Sequence, residues 1–389
     1  MSRPILIVAG EASGDLHAAR LLTELQTRVP GLAPFGMGGG ELVEAGLDRL
    51  FDSAEISVVG LTEVMKIYSR AREVFNGLLE AVDRRRPELA VLVDFPDFNL
   101  RLAKELKARG VTVVYYISPQ IWAWRRGRVK TIAECVDEML VLFPFEREFY
   151  AEHGVEVTHV GHPLVDEVPV GLTQAWERGH ASGEPFEVAL LPGSRLSEIE
   201  ALLPLMLESV RRLAERVPVM PRLIRAPTVP REAVEEPIAL SGLPVRISER
   251  DRFSAIADSH LALCASGTAT LEVGMLGTPL LVVYRLATWT YLAARLLVRV
   301  PHISLANLVL ERGAVPELIQ GKATPEAIAE EAAALVSDPA RVEAMRADLS
   351  EIRGRLGEGG ASGRAAERVA AHLAAGSGER RAAAGGSGR

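Results

Sequence analysis

Between Phe186 and Val210 an apolar run, Val188-Ala189-Leu190-Leu191, stops at Pro192-Gly193-Ser194-Arg195 and gives way to Leu196-Ser197-Glu198-Ile199-Glu200. A short apolar run broken by proline and glycine, then Ile199, Leu202, Leu203, Leu205, Met206 and Val210 at helical spacing, reads as strand, tight turn and helix start. Pro192 removes a ladder donor and Gly193 permits positive φ. The turn can therefore aim backbone N–H groups and the Arg195 guanidinium at one point, the positive end of the following helix. Such a point suits phosphate. An ordinary strand-to-helix connection with a solvated arginine would use the same residues.

At 389 residues, 48% hydrophobic and 24% charged, the chain has a soluble, globular composition and exceeds one typical domain, so two domains are expected. A net charge of -7 argues against a nucleic-acid binder relying on overall basicity, and no nucleic-acid partner is expected. Cys135 and Cys264 lie far apart beside apolar residues, the pattern of buried free thiols rather than a disulfide or metal site. A reducing cytoplasm fits. The N-terminal apolar run Ile5 to Gly10 is too short for a signal sequence, so export is not expected. Pro279 to Val300 is interrupted by Arg285 and Arg295, and reads as a strand plus an amphipathic helix rather than a span.

The same grammar recurs from the start of the chain. The strand ending at Gly10 leads through Glu11-Ala12-Ser13-Gly14-Asp15 into a helix to about Val29, placing two acids, a serine and a glycine where open α/β sheets bind ligands. Ser13 or Asp15 could cap that helix, whereas Glu11 has no capping duty; His17 reads as surface or packing. The glycine-rich stretch Phe35 to Gly40 does not match the dinucleotide fingerprint. A helix to about Arg86 mixes Val64, Met65, Ile67, Tyr68, Val74, Phe75 and Leu78 with Lys66, Arg70 and Arg72. That mixture suits a membrane surface, though on pattern alone a helix packed on the sheet with a solvated basic face is the commoner arrangement.

The strand Leu89 to Val93 delivers Asp94-Phe95-Pro96-Asp97-Phe98-Asn99. Asp97 is placed to cap the next helix, whereas Asp94 ends the strand and opens toward the ligand edge, which makes Asp94 the better general base. Phe95 and Pro96 would desolvate it partly and raise its basicity. After the strand Val111 to Ile117, Ser118-Pro119-Gln120-Ile121-Trp122-Ala123-Trp124-Arg125-Arg126 is the densest aromatic and basic cluster, suited to stacking on a sugar or to packing. Asp166 to Glu184 is polar without periodicity and reads as an interdomain linker. The second half repeats strand and helix, and its loop Ala265-Ser266-Gly267-Thr268-Ala269-Thr270-Leu271-Glu272 is a second phosphate-suited turn, with Glu272 able to hold ribose hydroxyls. Capping by Thr268 accounts for part of that pattern. Two such turns in one half suit a nucleotide diphosphate.

The expected fold class is α/β, with two doubly wound, parallel-sheet, Rossmann-like domains facing a cleft. Expected bounds are 1–165 for a first domain and 186–340 for a second, which the resemblance given below implies bind acceptor and UDP-sugar respectively. Residues 341–375 would form C-terminal helices that pack back on the first domain, and 376–389 a disordered tail.

Gly10 to Asp15, Asp94 to Asn99, Ser118 to Trp124, Leu191 to Arg195 and Ala265 to Ala269 occur in this order, and together they resemble the lipid-A-disaccharide synthases from about Ile5 to Ala374. The resemblance implies the glycosyltransferase B fold, with no cofactor and no metal. It implies inverting transfer of a 2,3-diacylglucosamine unit from its UDP derivative to 2,3-diacylglucosamine 1-phosphate, releasing UDP. By position it makes Asp94 the base and Arg195 the group holding the UDP phosphates. Gly193, Ser194, Ser266, Gly267, Thr268, Glu272 and Asn307 complete the UDP side; Glu11, Ser13, Gly14, Asp15, Asp97, Trp122 and Trp124 form the acceptor side. Phe95 departs from the small residue of that motif. Glycolipid substrates imply peripheral association with the inner face of the cytoplasmic membrane, which favours the Val64 to Leu78 helix as an anchor, and a homodimer stands among the partner expectations. A UDP-N-acetylglucosamine 2-epimerase-like isomerase and a non-catalytic UDP-sugar-binding module are the alternatives.

Overall fold

The computed structural model describes residues 2–56, 64–123, 126–180, 183–285 and 301–385, with the backbone alone at 64–68 and 376–385. Seven strands, β1 (Arg3–Ala9), β2 (Leu32–Gly38), β3 (Asp48–Asp52), β4 (Leu89–Val93), β5 (Thr112–Tyr116), β6 (Glu138–Val141) and β7 (Thr158–His159), form one parallel sheet in the order β3-β2-β1-β4-β5-β6-β7. Ile5 to Ala9 and Leu89 to Val93 are apolar at every position and buried throughout, as strands covered on both faces must be. The chain moves outward from β1 on one side and resumes on the other at β4. Ala9 pairs with Val93, so the turns after β1 and β4 leave the sheet side by side at its C-terminal edge.

Six further strands, β8 (Phe186–Leu191), β9 (Val219–Ile224), β10 (Arg246–Ser248), β11 (Leu261–Ala265), β12 (Leu280–Tyr284) and β13 (Glu317–Ile319), form a second parallel sheet in the order β10-β9-β8-β11-β12-β13. Its order reverses between β8 and β11, where Leu191 pairs with Cys264. The turns at Gly193 and Gly267 leave from those two strands. Cys135 and Cys264 are both buried and free.

The chain divides into Met1–Pro163 with Glu358–Arg389, and Leu164–Gly357. Helix Pro339–Arg355 belongs to the second unit, while helix Ala361–Gly385 packs on helix Ala12–Arg28 of the first. Ala361, Ala365, Ala366, Val369 and Leu373 form its buried face. Arg3 donates to the Leu373 carbonyl (2.7 Å), and the Glu138 carboxylate accepts from Arg368 Nε and His372 Nε2, both at 2.6 Å.

Three expectations change. The stretch 166–184 is no free linker: Val168 and Ala175 are buried, Trp176 Nε1 donates to the His260 carbonyl (2.8 Å), and Arg346 donates to Gln174 Oε1 (2.6 Å). One tryptophan and a few small apolar residues secure a segment whose polar majority hid them. The tail beyond Gly376 continues as helix to Gly385, because extending an existing helix through alanine, arginine and glutamate needs no new nucleus. Residues 386–389 lie outside the described set.

In helix Val64–Arg85, Val74 and Leu78 are fully buried, and the Phe75 ring meets Phe98 edge-on with centroids 5.6 Å apart. This half of the helix is core rather than membrane anchor. The side chains of Val64, Met65, Ile67 and Tyr68 lie outside the described residues, as does the helix expected over 290–300. Among the described residues no helix is long and apolar enough to cross a membrane.

Candidate functional site

In the first unit the turn after β4 takes an unusual path. Asp94 (φ 47) and Phe95 (φ 49) are both left-handed, a conformation that costs a non-glycine residue roughly 1–2 kcal/mol. Two consecutive residues in it need support from their surroundings. Tyr115 donates its hydroxyl to the Asp94 carbonyl (2.6 Å), and buried Asn99 donates Nδ2 to the same oxygen (2.8 Å) and to Val93 O (3.2 Å). The Asp94 amide donates to Tyr116 O of the next strand (3.0 Å). Phe95 lies over Gly10, where a Cβ would fall 2.3 Å from the ring. The large residue that departs from the motif is therefore accommodated by a glycine at the end of β1. The outcome is a half-buried carboxylate held at the sheet edge by a deformed turn.

The expected cap at Asp97 is not made. Helix Pro96–Ala108 begins two residues earlier than that cap requires, with left-handed Phe95 at its N-cap, and Asp97 pairs with Arg128 across to the next helix. Proline at the first helical position set that start. Glu11 is the N-cap residue of helix Ala12–Arg28 and is half-buried, yet its side chain makes no capping bond. Ser13 is exposed, and Gly14 is buried where an added Cβ would make only ordinary contact with Val93. The Asp15 carboxylate is buried and accepts from the amides of Gly39 (2.6 Å) and Glu41 (3.0 Å), fixing the glycine-rich turn after β2. Trp122 is buried edge-on against Phe145, with centroids 5.0 Å apart, so its indole is packing rather than a stacking platform. Trp124 lies outside the described residues.

In the second unit, Gly193 adopts φ 122, and a Cβ there would sit 2.2 Å from Glu198 Oε2. That carboxylate accepts from the amides of Ser194 (2.9 Å) and Arg195 (3.3 Å). The backbone donors expected to cradle phosphate are thus engaged by the chain's own glutamate. The Arg195 side chain is 68% exposed, with Nη1 3.8 Å from Glu198 Oε1, and projects from the turn as its exposed cation. Thr228 Oγ1 donates to Ser194 O (2.8 Å) and pins the turn from the neighbouring loop. Tyr284, at the end of β12, is close enough to feel both charges; burial raises its pKa first, Glu198 adds to this and Arg195 opposes it.

Across the strand order reversal, the Ser266 hydroxyl donates to Ile303 O (2.8 Å), and exposed Thr268 stands at the N-cap of helix Ala269–Met275 without a side-chain capping bond. Glu272 is raised by burial, and Arg252, 3.4 Å away, pulls it back. Asn307 is held by its own loop. It is 1% exposed, its Nδ2 donates to Val315 O (2.9 Å) and Glu317 Oε1 (2.8 Å), and its Oδ1 accepts from the Val315 amide (2.9 Å). Those contacts fix the loop 303–307 and use both Nδ2 hydrogens.

Sequence reasoning missed Asn99, Tyr115, Glu198 and Tyr284. Strand-end position signalled Tyr115 and Tyr284, and the Arg195-x-x-Glu198 spacing is that of a capping box. His17 and His162 are both kept neutral, chiefly by burial, at about 4 and about 3. Among the described residues no group of three or more His, Cys, Asp or Glu is arranged to hold a metal ion.

Distant solved structures share this overall fold. UDP-GlcNAc 2-epimerase from Neisseria meningitidis superposes with a TM-score of 0.62 at 14% identity, covering 94% of this chain and 99% of that one. The calicheamicin glycosyltransferase CalG4 gives 0.57 at 16% identity, covering 96% and 99%. At that identity they show the glycosyltransferase B fold alone. The sequence is more specific: the family described as lipid-A-disaccharide synthetase matches residues 5–369. A lipid-A-disaccharide synthase of Myxococcus xanthus is 50% identical over 368 residues, covering 94% of this chain and 96% of the relative. One from Syntrophus aciditrophicus is 44% identical over 369 residues with the same coverage. A family match over nearly the whole chain, joined to a carboxylate and a cation at the two order reversals, leads to one conclusion: this chain belongs to the lipid-A-disaccharide synthase family.

Proposed function

We propose that this chain is an inverting glycosyltransferase that joins UDP-2,3-diacylglucosamine to 2,3-diacylglucosamine 1-phosphate, giving the disaccharide 1-phosphate and UDP. Family membership supports the reaction, and the left-handed Asp94-Phe95 turn is the observation that carries the assignment of its base. The acceptor hydroxyl must lose a proton as it attacks the anomeric carbon, and Asp94 takes it. Tyr115 and Asn99 hold the Asp94 backbone, so the carboxylate is positioned by the fold rather than by the substrate.

Charge accumulates on the leaving diphosphate as the glycosidic bond breaks. Arg195 neutralises it, with exposed Thr268 presenting its hydroxyl from the adjacent turn. Glu198 holds Ser194 and Arg195 in shape rather than leaving their amides to the phosphate. Glu272, oriented by Arg252, takes the ribose. Both substrates are acylated, so the protein works at the inner face of the cytoplasmic membrane as a peripheral enzyme.

Purified protein incubated with both acylated substrates should form disaccharide 1-phosphate and UDP in equal amounts with inversion at the donor carbon. Turnover of UDP-N-acetylglucosamine alone, with no acceptor, would instead indicate an epimerase.

A further inference from the structure

Glu198 puts a negative charge in the turn after β8, where the reaction above needs a positive one, and its two oxygens are placed differently. Oε2 accepts from the amides of Ser194 (2.9 Å) and Arg195 (3.3 Å). Gly193, at φ 122, leaves room for that oxygen, since a Cβ there would lie 2.2 Å from it. Oε1 lies 3.8 Å from Arg195 Nη1. The Glu198 side chain is 24% exposed against 68% for Arg195, so the anion is set back behind the cation that meets solvent. A capping glutamate needs one oxygen for the amides. It does not need the other to face the cation assigned to the diphosphate.

A diphosphate that pairs with Arg195 meets this carboxylate behind the guanidinium. The two amide bonds keep Glu198 from swinging away, and like charges in a partly covered place repel with less screening than in open solvent. The repulsion differs between the two nucleotides of the reaction. In the UDP-sugar the β-phosphate is esterified to the anomeric carbon. When that C–O bond breaks, its electron pair stays on the β-phosphate oxygen, and a free terminal phosphate titrates at about pH 6, so UDP carries more negative charge than the donor at neutral pH. Glu198 therefore opposes the product more than the substrate.

We infer that Glu198 determines which nucleotide the site retains: by holding a negative charge behind Arg195 it weakens UDP relative to the UDP-sugar and lets the leaving nucleotide go after each transfer. This rests on the function proposed above. Gln at this position conserves shape, and its carbonyl oxygen can accept both amides, so the turn keeps its cap while the charge is lost. Thr228 supports the same turn without charge, its Oγ1 donating to Ser194 O (2.8 Å), and so provides the contrast.

The test compares Glu198→Gln and Thr228→Val with the unaltered protein, measuring UDP affinity by calorimetric titration, donor KM, kcat, disaccharide formed over the first turnovers, and melting temperature. Glu198→Gln should bind UDP tighter by about fivefold or more, lower the donor KM by a smaller factor, and show a burst of disaccharide followed by a slower rate set by UDP release. Thr228→Val loosens the turn at constant charge and should not tighten UDP. Unchanged or weaker UDP binding by folded Glu198→Gln makes Glu198 a cap alone and overturns the inference, as does an equal gain for UDP and donor, or equal tightening by Thr228→Val. Should Glu198→Gln fail to fold, the unaltered protein decides: a linear time course from the first turnover supports the inference, and a burst limited by UDP release overturns it. If the unaltered protein neither binds UDP nor makes disaccharide, the functional reading itself falls, and the inference with it.

Discussion

Replacing Gly10 by alanine should disturb Asp94 through Phe95. The added Cβ would fall 2.3 Å from both Cγ and Cδ1 of the Phe95 ring and 2.8 Å from Cε1, against an ordinary carbon separation of about 3.5–4 Å. The ring must move by more than roughly 1 Å, and overpacking of this kind costs about 1–3 kcal/mol. Phe95 cannot yield cheaply. Its left-handed backbone continues from Asp94, and its ring leans on Phe98, centroids 5.6 Å apart, which in turn meets Phe75. Part of the displacement should therefore reach the Asp94 carboxylate, where a misplacement of about 1 Å can cost on the order of a hundredfold in turnover. A double-mutant cycle isolates the effect. Phe95→Ala alone should cost about 1–2 kcal/mol for half-buried apolar surface, and in the Gly10→Ala background it should cost much less or stabilise, a coupling of about 1–3 kcal/mol. Denaturant unfolding and turnover of the four proteins measure this. Additive stabilities, with Gly10→Ala fully active, would refute the claim that Gly10 exists to seat Phe95.

Arg195→Ala should weaken UDP binding by about 1.5–3 kcal/mol, roughly ten- to a hundredfold, for lost charged hydrogen bonds; unchanged affinity by calorimetric titration removes Arg195 from the phosphate site. Val74→Ser should destabilise the first unit by about 2–4 kcal/mol, since it leaves a cavity and a hydroxyl in a fully buried place; loss of vesicle binding with stability intact would restore this part of the helix as an anchor. Burial pushes Glu138 up, but hydrogen bonds from His372, Arg368 and Thr158 hold it down at about 2 against an ordinary 4.5. Its folded pKa is depressed, so its contribution is complete above about pH 4.5 and fades as pH falls toward 2. Glu138→Gln should flatten the acid limb of the unfolding profile, and parallel profiles for the two proteins would contradict that linkage.

What the sequence disclosed was mainly what apolar runs and turn residues encode locally. β1, β4, β8 and β11 end where their runs end, and the four turns that follow them were legible as a set. Asp94 could be ranked above Asp97 from strand position, but the reason offered for Asp97 was wrong: a capping role depends on where the helix starts, and left-handed Phe95 shifted that start by two residues. Asn307 and Asp15 sit in ligand-suited loops, and both are also held by Val315, Glu317, Gly39 and Glu41, contacts that no local pattern announces. The amides at Ser194 and Arg195 were read as open because helix starts usually are, until a glutamate three residues on closes them. Trp122 illustrates the same limit, since an aromatic residue in a loop at a sheet edge can face ligand or core, and only packing against Phe145 decides.

The central claim is that the left-handed turn after β4 presents Asp94 as the base. The direct measurement is turnover and UDP titration of Asp94→Asn beside Asp97→Asn, each checked by thermal melting. Asparagine tolerates the left-handed conformation as aspartate does, so Asp94→Asn should stay folded and bind UDP normally while losing roughly two to four orders of magnitude in turnover. Asp97→Asn loses one largely exposed ion-pair partner of Arg128, worth about 0–1 kcal/mol, and should stay active within a few fold. A folded, inactive Asp97→Asn beside an active Asp94→Asn would contradict the account.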